Sequence, residues 1–155
     1  MSSTPAIEAV VAAGIAHRVV RTAPAGTIEE AAQLRGLPVE ALLKSLVVRR
    51  GEGDYLFVLV PGGRALDWAK LRAHLGERRM TLPDAAEALA ATGYPRGAIT
   101  PFGATTAWPV VVDASVIDAG EVSIGGGAHG VSITLAPGAL IAALDATVAD
   151  VTKPA

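Results

Sequence analysis

An unbroken run of apolar residues, YLFVLV at positions 55–60, is the clearest hydrophobic pattern in the chain. Runs of this length and composition are typical of strands buried on both faces. A second strand is predicted at residues 44–50, and the Gly-Glu-Gly-Asp sequence at 51–54 between the two has the composition of a turn. The two segments therefore predict a β-hairpin.

Helix-capping residues define most of the remaining elements. Thr4 before Pro5, Thr27 three residues before Glu30, and Asp67 each have the composition of a helix N-terminus. Glycines end these segments, and Gly36 in particular suits a left-handed C-cap. The predicted helices span residues 5–13, 28–36, 68–75 and 83–91, a single turn falls at 37–43, and a last helix starts at 137. Further strands are predicted at 15–21, 108–113, 121–124, 131–135 and 148–151, with a frayed tail at 152–155.

Helices and strands alternate along the chain, and one strand pair is a hairpin. A mixed β-sheet flanked by helices is therefore expected, because a purely parallel sheet contains no hairpin. The 155 residues are the size of one domain, and neither an internal repeat nor a linker divides them. We expect a single compact α/β domain over residues 1–155, with its core at about 5–150.

Composition excludes several classes of protein. Hydrophobic residues make up 51% of the chain, which is enough for a core, and no cysteine is present. Disulfides, thiolate nucleophiles and cysteine-ligated zinc are thereby excluded. No apolar run reaches the roughly 18–20 residues that span a bilayer, and residues 1–11 lack the basic start of a signal peptide. A soluble, cytoplasmic protein without membrane contact is expected.

Charge is distributed unevenly, although the net charge is only −2. Residues 1–96 hold 12 of the 13 basic residues, and one segment, 64–79, has five of them against two acids. Such a cluster can engage phosphates, but on charge alone an ordinary solvated helix face is the favoured interpretation. The five basic residues are Arg64, Lys70, Arg72, Arg78 and Arg79.

Familiar catalytic and cofactor motifs are missing. The three histidines share no metal-ligand spacing, and neither a G-x-S-x-G elbow nor a Walker A motif occurs. Residues 125–130, GGGAHG, formally match G-x-G-x-x-G, but a predicted strand follows them where a dinucleotide fold requires a helix. No metal or organic cofactor is expected.

Four segments in a fixed order carry a family resemblance. They are EAA at 30–32 leading to KSLVV at 44–48, TGY at 92–94, GAITPFG at 97–103, and GGG at 125–127 before VSI at 131–133. Together they resemble the YbaK/ProXp family of aminoacyl-tRNA deacylases, which is related to the editing insertion of bacterial prolyl-tRNA synthetases. The resemblance covers roughly residues 5–150 and implies a compact α/β domain around a mixed, strongly curved sheet.

The resemblance also implies a function and a site. Family members hydrolyse, in trans, the ester between a wrongly attached amino acid and tRNA, most often tRNA for proline. Here that implies a small amino acid, alanine or cysteine, with prolyl-tRNA synthetase as a partner and a monomer or homodimer as the assembly. The resemblance places Lys44, Gly97, Thr100 and Pro101 in catalysis. It assigns substrate binding to Ser45, Ile99, Phe102, Gly103, Gly125, Gly126, Gly127 and His129.

Physical chemistry gives these residues plausible tasks. Lys44 can hold a phosphate or ribose hydroxyl and stabilise charge that develops on the ester, and the N–H groups of the 97–101 loop can form an oxyanion hole. His129 is expected to restrict the pocket to a small substrate such as alanine. The basic segment 64–79 is then a candidate for acceptor-stem contact. Two alternatives remain: a non-catalytic module that binds tRNA or a synthetase, and a hydrolase of other small acyl esters or amides.

Overall fold

The computed structural model describes residues 3–155; Met1 and Ser2, at the start of the segment considered for a signal peptide, lie outside them. The described residues form five α-helices and nine strands. The helices are α1 (Pro5–Ala12), α2 (Ile28–Arg35), α3 (Trp68–Leu75), α4 (Ala85–Thr92) and α5 (Pro137–Leu144). The strands are β1 (His17–Arg21), β2 (Leu43–Gly51), β3 (Asp54–Pro61), β4 (Arg64–Leu66), β5 (Val110–Asp113), β6 (Val122–Gly125), β7 (Val131–Leu135), β8 (Thr147–Ala149) and β9 (Thr152–Pro154). Short 3-10 turns lie at Val39–Ala41 and Ala114–Val116.

The strands form three sheets, of which the largest is mixed, and this confirms the predicted mixed α/β fold. The four-stranded sheet has the order β2-β3-β5-β8, with β2 and β3 antiparallel and the other two pairings parallel. The three-stranded sheet β1-β7-β6 is antiparallel. A parallel bridge between Leu42 and Ser123 connects the two sheets, so that β2 lies beside β6.

The central strand β3 is buried on both faces, as its apolar run predicts. Tyr55, Phe57 and Leu59 pack into the core cluster that contains the three-stranded sheet. The alternate residues Leu56, Val58 and Val60 pack on the other side, against α3. A strand with two apolar faces therefore separates two cores, because successive side chains of a strand point in opposite directions.

Helix starts follow their capping residues closely. The side chains of Thr4, Thr27 and Asp67 each accept a hydrogen bond from a backbone N–H three residues further on, which confirms these three predicted caps. Glu30 differs slightly from a standard capping box, because its carboxylate accepts from the N–H of Gly26 at 3.1 Å. Asp84 caps α4, so this helix begins two residues later than expected.

The prediction of a frayed tail at 152–155 is wrong. Residues Thr152–Pro154 form β9, which pairs antiparallel with β4. Arg64 of β4 donates from Nε to Thr152 Oγ1 at 2.6 Å, and Thr152 is fully buried. Strands of three residues carry too little periodicity to be recognised alone, and this one depends on a partner 88 residues away in sequence.

Candidate active site

An open edge of β2 forms the wall of a cleft of about 550 Å³. Arg49 exchanges backbone hydrogen bonds with Thr81 at 2.8 and 3.0 Å, and Leu42 bridges to Ser123. Between these two bridges β2 is the edge of its sheet, and residues 43–47 line the cleft. Alternate residues of an antiparallel strand direct their backbone groups to opposite sides. Ser45 and Val47 therefore direct their N–H and C=O groups away from β3, as Arg49 does, and towards the cleft.

Lys44 and Ser45 bring side-chain chemistry to this wall. Lys44 is exposed at the cleft and forms no ion pair with any residue in the range 3–155. Ser45 Oγ is shielded from solvent, yet it has no hydrogen-bond partner there either. A buried hydroxyl without a partner is costly and unusual in a native structure. Both groups are therefore available to a ligand.

The loop at residues 97–103 forms another part of the wall through Gly97 and Ile99. The N–H of Ala98 donates to Pro95 O at 3.0 Å, whereas those of Gly97 and Ile99 have no hydrogen-bond partner among residues 3–155. Unpaired N–H groups beside a cationic side chain can stabilise an oxyanion. The loop thus has unpaired N–H donors of the kind that the sequence suggested.

Four further residues of this loop lie away from the cleft. Thr100 is fully buried and accepts from the N–H of Phe102 at 3.4 Å. The Phe102 ring packs in the main core, and Pro101 is buried beside it. Gly103 lies against the start of α1, where a Cβ atom would approach Pro5 O to 2.4 Å. None of the four lines the cleft, so their predicted roles in catalysis and binding stay predictions.

A tyrosine supports the loop from below. Tyr94 is buried and donates from its hydroxyl to Phe102 O at 2.7 Å, and burial raises the pKa of Tyr94 to about 12. The N–H of Tyr94 donates to Thr92 Oγ1 at 3.2 Å. The Tyr94 hydroxyl therefore joins the Thr-Gly-Tyr segment at 92–94 to the 97–103 loop.

The glycine-rich segment reaches the cleft through Gly125. A Cβ atom on this residue would be 3.3 Å from Ile99 O, so glycine permits the close approach of the two loops. Gly126 accepts from Thr4 Oγ1 at 2.6 Å, and a Cβ on Gly127 would lie 3.0 Å from the Tyr94 ring. These two glycines pack against α1 and the Tyr94 support, and they do not line the cleft.

His129 joins the two loops from the outside. Its exposed ring lies over Gly97, with Cε1 only 2.9 Å from the position of a Cβ atom on that glycine. Gly97 has φ +90°, a conformation that L side chains rarely adopt. The histidine is thus adjacent to the cleft, although it is not part of its lining.

Two arginines that the motifs did not indicate also line the cleft. Arg35 ends α2 and donates from Nη1 to Ser123 Oγ at 3.1 Å, and burial lowers the pKa of Arg35. Arg96 is exposed and immediately precedes Gly97. The lining therefore has three cations and no carboxylate. Sequence analysis missed Arg35 and Arg96, because they lie far apart in the chain and share no motif.

The basic segment 64–79 lies on other elements, and two of its members are engaged. Arg64 binds Thr152, and Lys70 Nζ forms an ion pair with Asp150 at 3.0 Å. Arg72 is half-buried, while Arg78 and Arg79 are exposed beyond the end of α3. None of the five lines the cleft. Their predicted role in tRNA binding stays a prediction.

Comparison with known proteins agrees with this geometry. Residues 22–143 match the family model of the aminoacyl-tRNA editing domain. The chain belongs to this family. This match confirms the family resemblance that the sequence motifs suggested.

Similar proteins fall into two groups. The proline–tRNA ligase of Thermosipho africanus is 37% identical over 78 residues, which are 50% of this chain and 14% of that enzyme. Enterococcus faecalis EbsC, named provisionally as a Cys-tRNA(Pro)/Cys-tRNA(Cys) deacylase, is 25% identical over 124 residues, 80% of this chain and 76% of that protein. A crystal structure described provisionally as a trans-editing enzyme for prolyl tRNA synthetase has 30% identity and a TM-score of 0.88, with 99% of each chain covered. The chain thus corresponds to a small fraction of the ligase, to about three quarters of EbsC and to nearly all of the protein in that crystal structure.

Two features are absent from residues 3–155. No helix in this range is both long and apolar enough to cross a membrane. No three His, Asp or Glu side chains in it converge as metal ligands.

Proposed function

We propose that this protein is a trans-acting aminoacyl-tRNA deacylase that removes a small amino acid, alanine or cysteine, from tRNA for proline. The observation that carries the proposal is the cleft, which is lined by Lys44 and by Gly97 and Ile99, whose N–H groups are unpaired. Its volume of about 550 Å³ is in the range of small-molecule sites. The family and its two groups of relatives support the same reaction.

Ester hydrolysis makes modest demands on these groups. Water attacks the ester carbonyl, and the carbonyl oxygen becomes an oxyanion before the ribose oxygen leaves with a proton. In this proposal, N–H donors from the 97–101 loop and the Lys44 ammonium stabilise the oxyanion. Ser45 Oγ and the open edge of β2 hold the amino acid or the ribose, because these polar groups lack partners in the protein.

Selection of a small amino acid follows from double-sieve editing. A synthetase discriminates poorly against an amino acid smaller than its own, since one methylene contributes only about 1–3 kcal/mol. A second site that admits only smaller residues can remove such errors. Gly125 packs closely on Ile99 in the wall of the cleft, and His129 packs on Gly97 beside it. We propose that this packing excludes proline.

The test compares tRNA for proline charged separately with alanine, cysteine, serine and proline. We expect cleavage of one small aminoacyl ester, with the prolyl ester spared. Lys44→Ala should reduce kcat/KM by about 10²–10³-fold, the usual effect of removing one oxyanion donor. Lys153→Ala is the matched control, because Lys153 is an exposed lysine of β9 away from the cleft.

Other outcomes would redirect the proposal. Equal rates for wild type and Lys44→Ala would remove Lys44 from the mechanism. Tight tRNA binding without cleavage of any ester would favour the non-catalytic binding module. Cleavage of free amino-acid esters as fast as aminoacyl-tRNA would favour a general small-ester hydrolase.

A further inference from the structure

The charge of the cleft is one-sided. Arg35, Lys44 and Arg96 line it, and no aspartate or glutamate does. None of the three forms an ion pair with a carboxylate anywhere in residues 3–155. Four other cations, Arg18, Arg49, Arg50 and Lys70, do have carboxylate partners. Three cations without a carboxylate partner therefore line the same cleft.

Arg35 is the most informative of the three. Its guanidinium is partly withdrawn from water, and its described contact is the neutral hydroxyl of Ser123 at 3.1 Å. Ser123 itself is fully buried in β6. A guanidinium has five N–H donors, and removing its charge from water is costly unless an anion compensates. The arrangement holds Arg35 in place and leaves most of its donors free.

Arg96 supplies a second guanidinium from a different element. It is exposed in the turn that leads into Gly97, one residue before the loop with the unpaired N–H groups. A ligand that reaches those N–H groups therefore lies close to Arg96. Planar guanidinium groups match phosphate oxygens with two parallel hydrogen bonds, which a lysine ammonium cannot reproduce.

We infer that Arg35 and Arg96 form an anion subsite of the cleft that binds the phosphodiester on the 5′ side of the aminoacylated ribose. This inference rests on the proposed function, because it names the part of the substrate next to the ester. It adds two arginines of the cleft to Lys44 and the segment 64–79, which the sequence suggested for phosphate contact. Arg64 and Lys70 of that segment are occupied by β9 and Asp150.

The binding experiment needs no hydrolysis. Titration calorimetry would measure the dissociation constants of adenosine, adenosine 5′-monophosphate and the trinucleotide CCA without an attached amino acid. We expect the wild type to bind the monophosphate about tenfold or more tightly than adenosine, the size of effect that a charged hydrogen bond provides. Arg35→Gln and Arg96→Gln should each remove most of this difference. Arg18→Gln should keep it, because Arg18 lies outside the cleft and is 61% exposed.

A kinetic arm uses the 2′(3′)-O-alanyl esters of adenosine and of adenosine 5′-monophosphate. Preference for the phosphorylated ester should appear in KM and vanish in the two arginine variants. Arg35→Lys should restore only part of it, because charge returns without the planar fork. If Arg35 had only a structural role, its substitution would raise KM for both esters by the same factor. If the Arg35 variants fail to fold, Arg96→Gln still tests the inference, because Arg96 is exposed and its substitution should leave the fold intact.

Each outcome is decisive. Equal affinity of the wild type for adenosine and its monophosphate would overturn the inference, as would an unchanged preference in both variants. Arginine-dependent binding of the monophosphate without cleavage of any ester would sustain the anion subsite and sink the deacylase proposal. Cleavage without a preference for the phosphorylated ester would support the deacylase proposal and contradict the anion subsite.

Discussion

The imidazole of His129 lies so close to Gly97 that a Cβ atom on the glycine would be 2.9 Å from Cε1. Real Cβ atoms essentially never show contacts below 3.0 Å, so one of the two groups would have to move. The contact joins the glycine-rich segment to the loop that lines the cleft. Two predictions follow from this pair of residues, one for stability and one for specificity.

Gly97→Ala should destabilise the protein and displace the His129 ring. Alanine at φ +90° is strained by about 1–3 kcal/mol, and its methyl group meets the ring. Urea unfolding would measure the loss. Gly138→Ala is the control, because Gly138 lies in α5 with open space around it and a helical alanine costs nothing.

A double-variant cycle separates strain from contact. If the ring is the obstacle, Gly97→Ala combined with His129→Gly should recover part of the loss, with a coupling of about 0.5–3 kcal/mol. Strict additivity of the two changes would show that backbone strain alone is responsible.

His129→Ala should widen the specificity of the proposed deacylase. Removing the ring opens space over Gly97, and discrimination by a wall of this kind is typically about 10–200-fold. The ratio of kcat/KM for alanyl and prolyl esters on tRNA should therefore fall by about tenfold or more. His74→Ala is the matched control, because His74 is exposed on α3. An unchanged ratio would remove His129 from substrate selection.

Thr152→Val should lower the free energy of unfolding by about 1–3 kcal/mol. The substitution removes the acceptor for Arg64 Nε at 2.6 Å and leaves a half-buried guanidinium with one hydrogen bond fewer. Thr152→Ser retains the hydroxyl and should lose less. Thermal or urea unfolding would rank the wild type and the two variants by stability. Identical stability of the wild type and the Thr152→Val variant would contradict a structural role for β9.

Asp113 should make stability depend on acid pH. Burial alone would raise the pKa of Asp113, but hydrogen bonds from the Ser115 hydroxyl, the Val151 and Ser115 N–H groups and Thr152 lower it below 3.8 overall. The Val151 bond measures 3.1 Å. Because the folded pKa is below the unfolded value, this stabilisation is complete above about pH 4 and is lost as pH falls through the folded pKa.

Asp113→Asn tests this linkage. At pH 7 the variant should be less stable by about 1–3 kcal/mol. The amide of asparagine is a weaker acceptor than the Asp113 carboxylate for the N–H groups of Ser115 and Val151. The difference between wild type and variant should narrow below about pH 4. A constant difference from pH 7 to pH 3 would show that the charge of Asp113 does not contribute.

Local patterns determined the secondary structure well. Capping side chains of Thr4, Thr27 and Asp67 define helix starts because their hydrogen bonds span only three residues. The apolar run in β3 predicted burial on both faces, and the turn at 51–54 predicted its hairpin with β2. The ordered motifs were sufficient to identify the family, because Lys44, the 97–101 loop and Gly125 each occupy a short, contiguous segment.

Only the tertiary structure decided which of these residues share a cleft. It brings Lys44, Gly97, Ile99 and Gly125 together and turns Phe102 and Gly103 towards the core and α1. It also adds Arg35 and Arg96, and it converts the expected tail into β9 paired with β4. The physical reason is the same in each case. Contacts between residues far apart in sequence depend on the packing of whole elements, and neither periodicity nor capping encodes them.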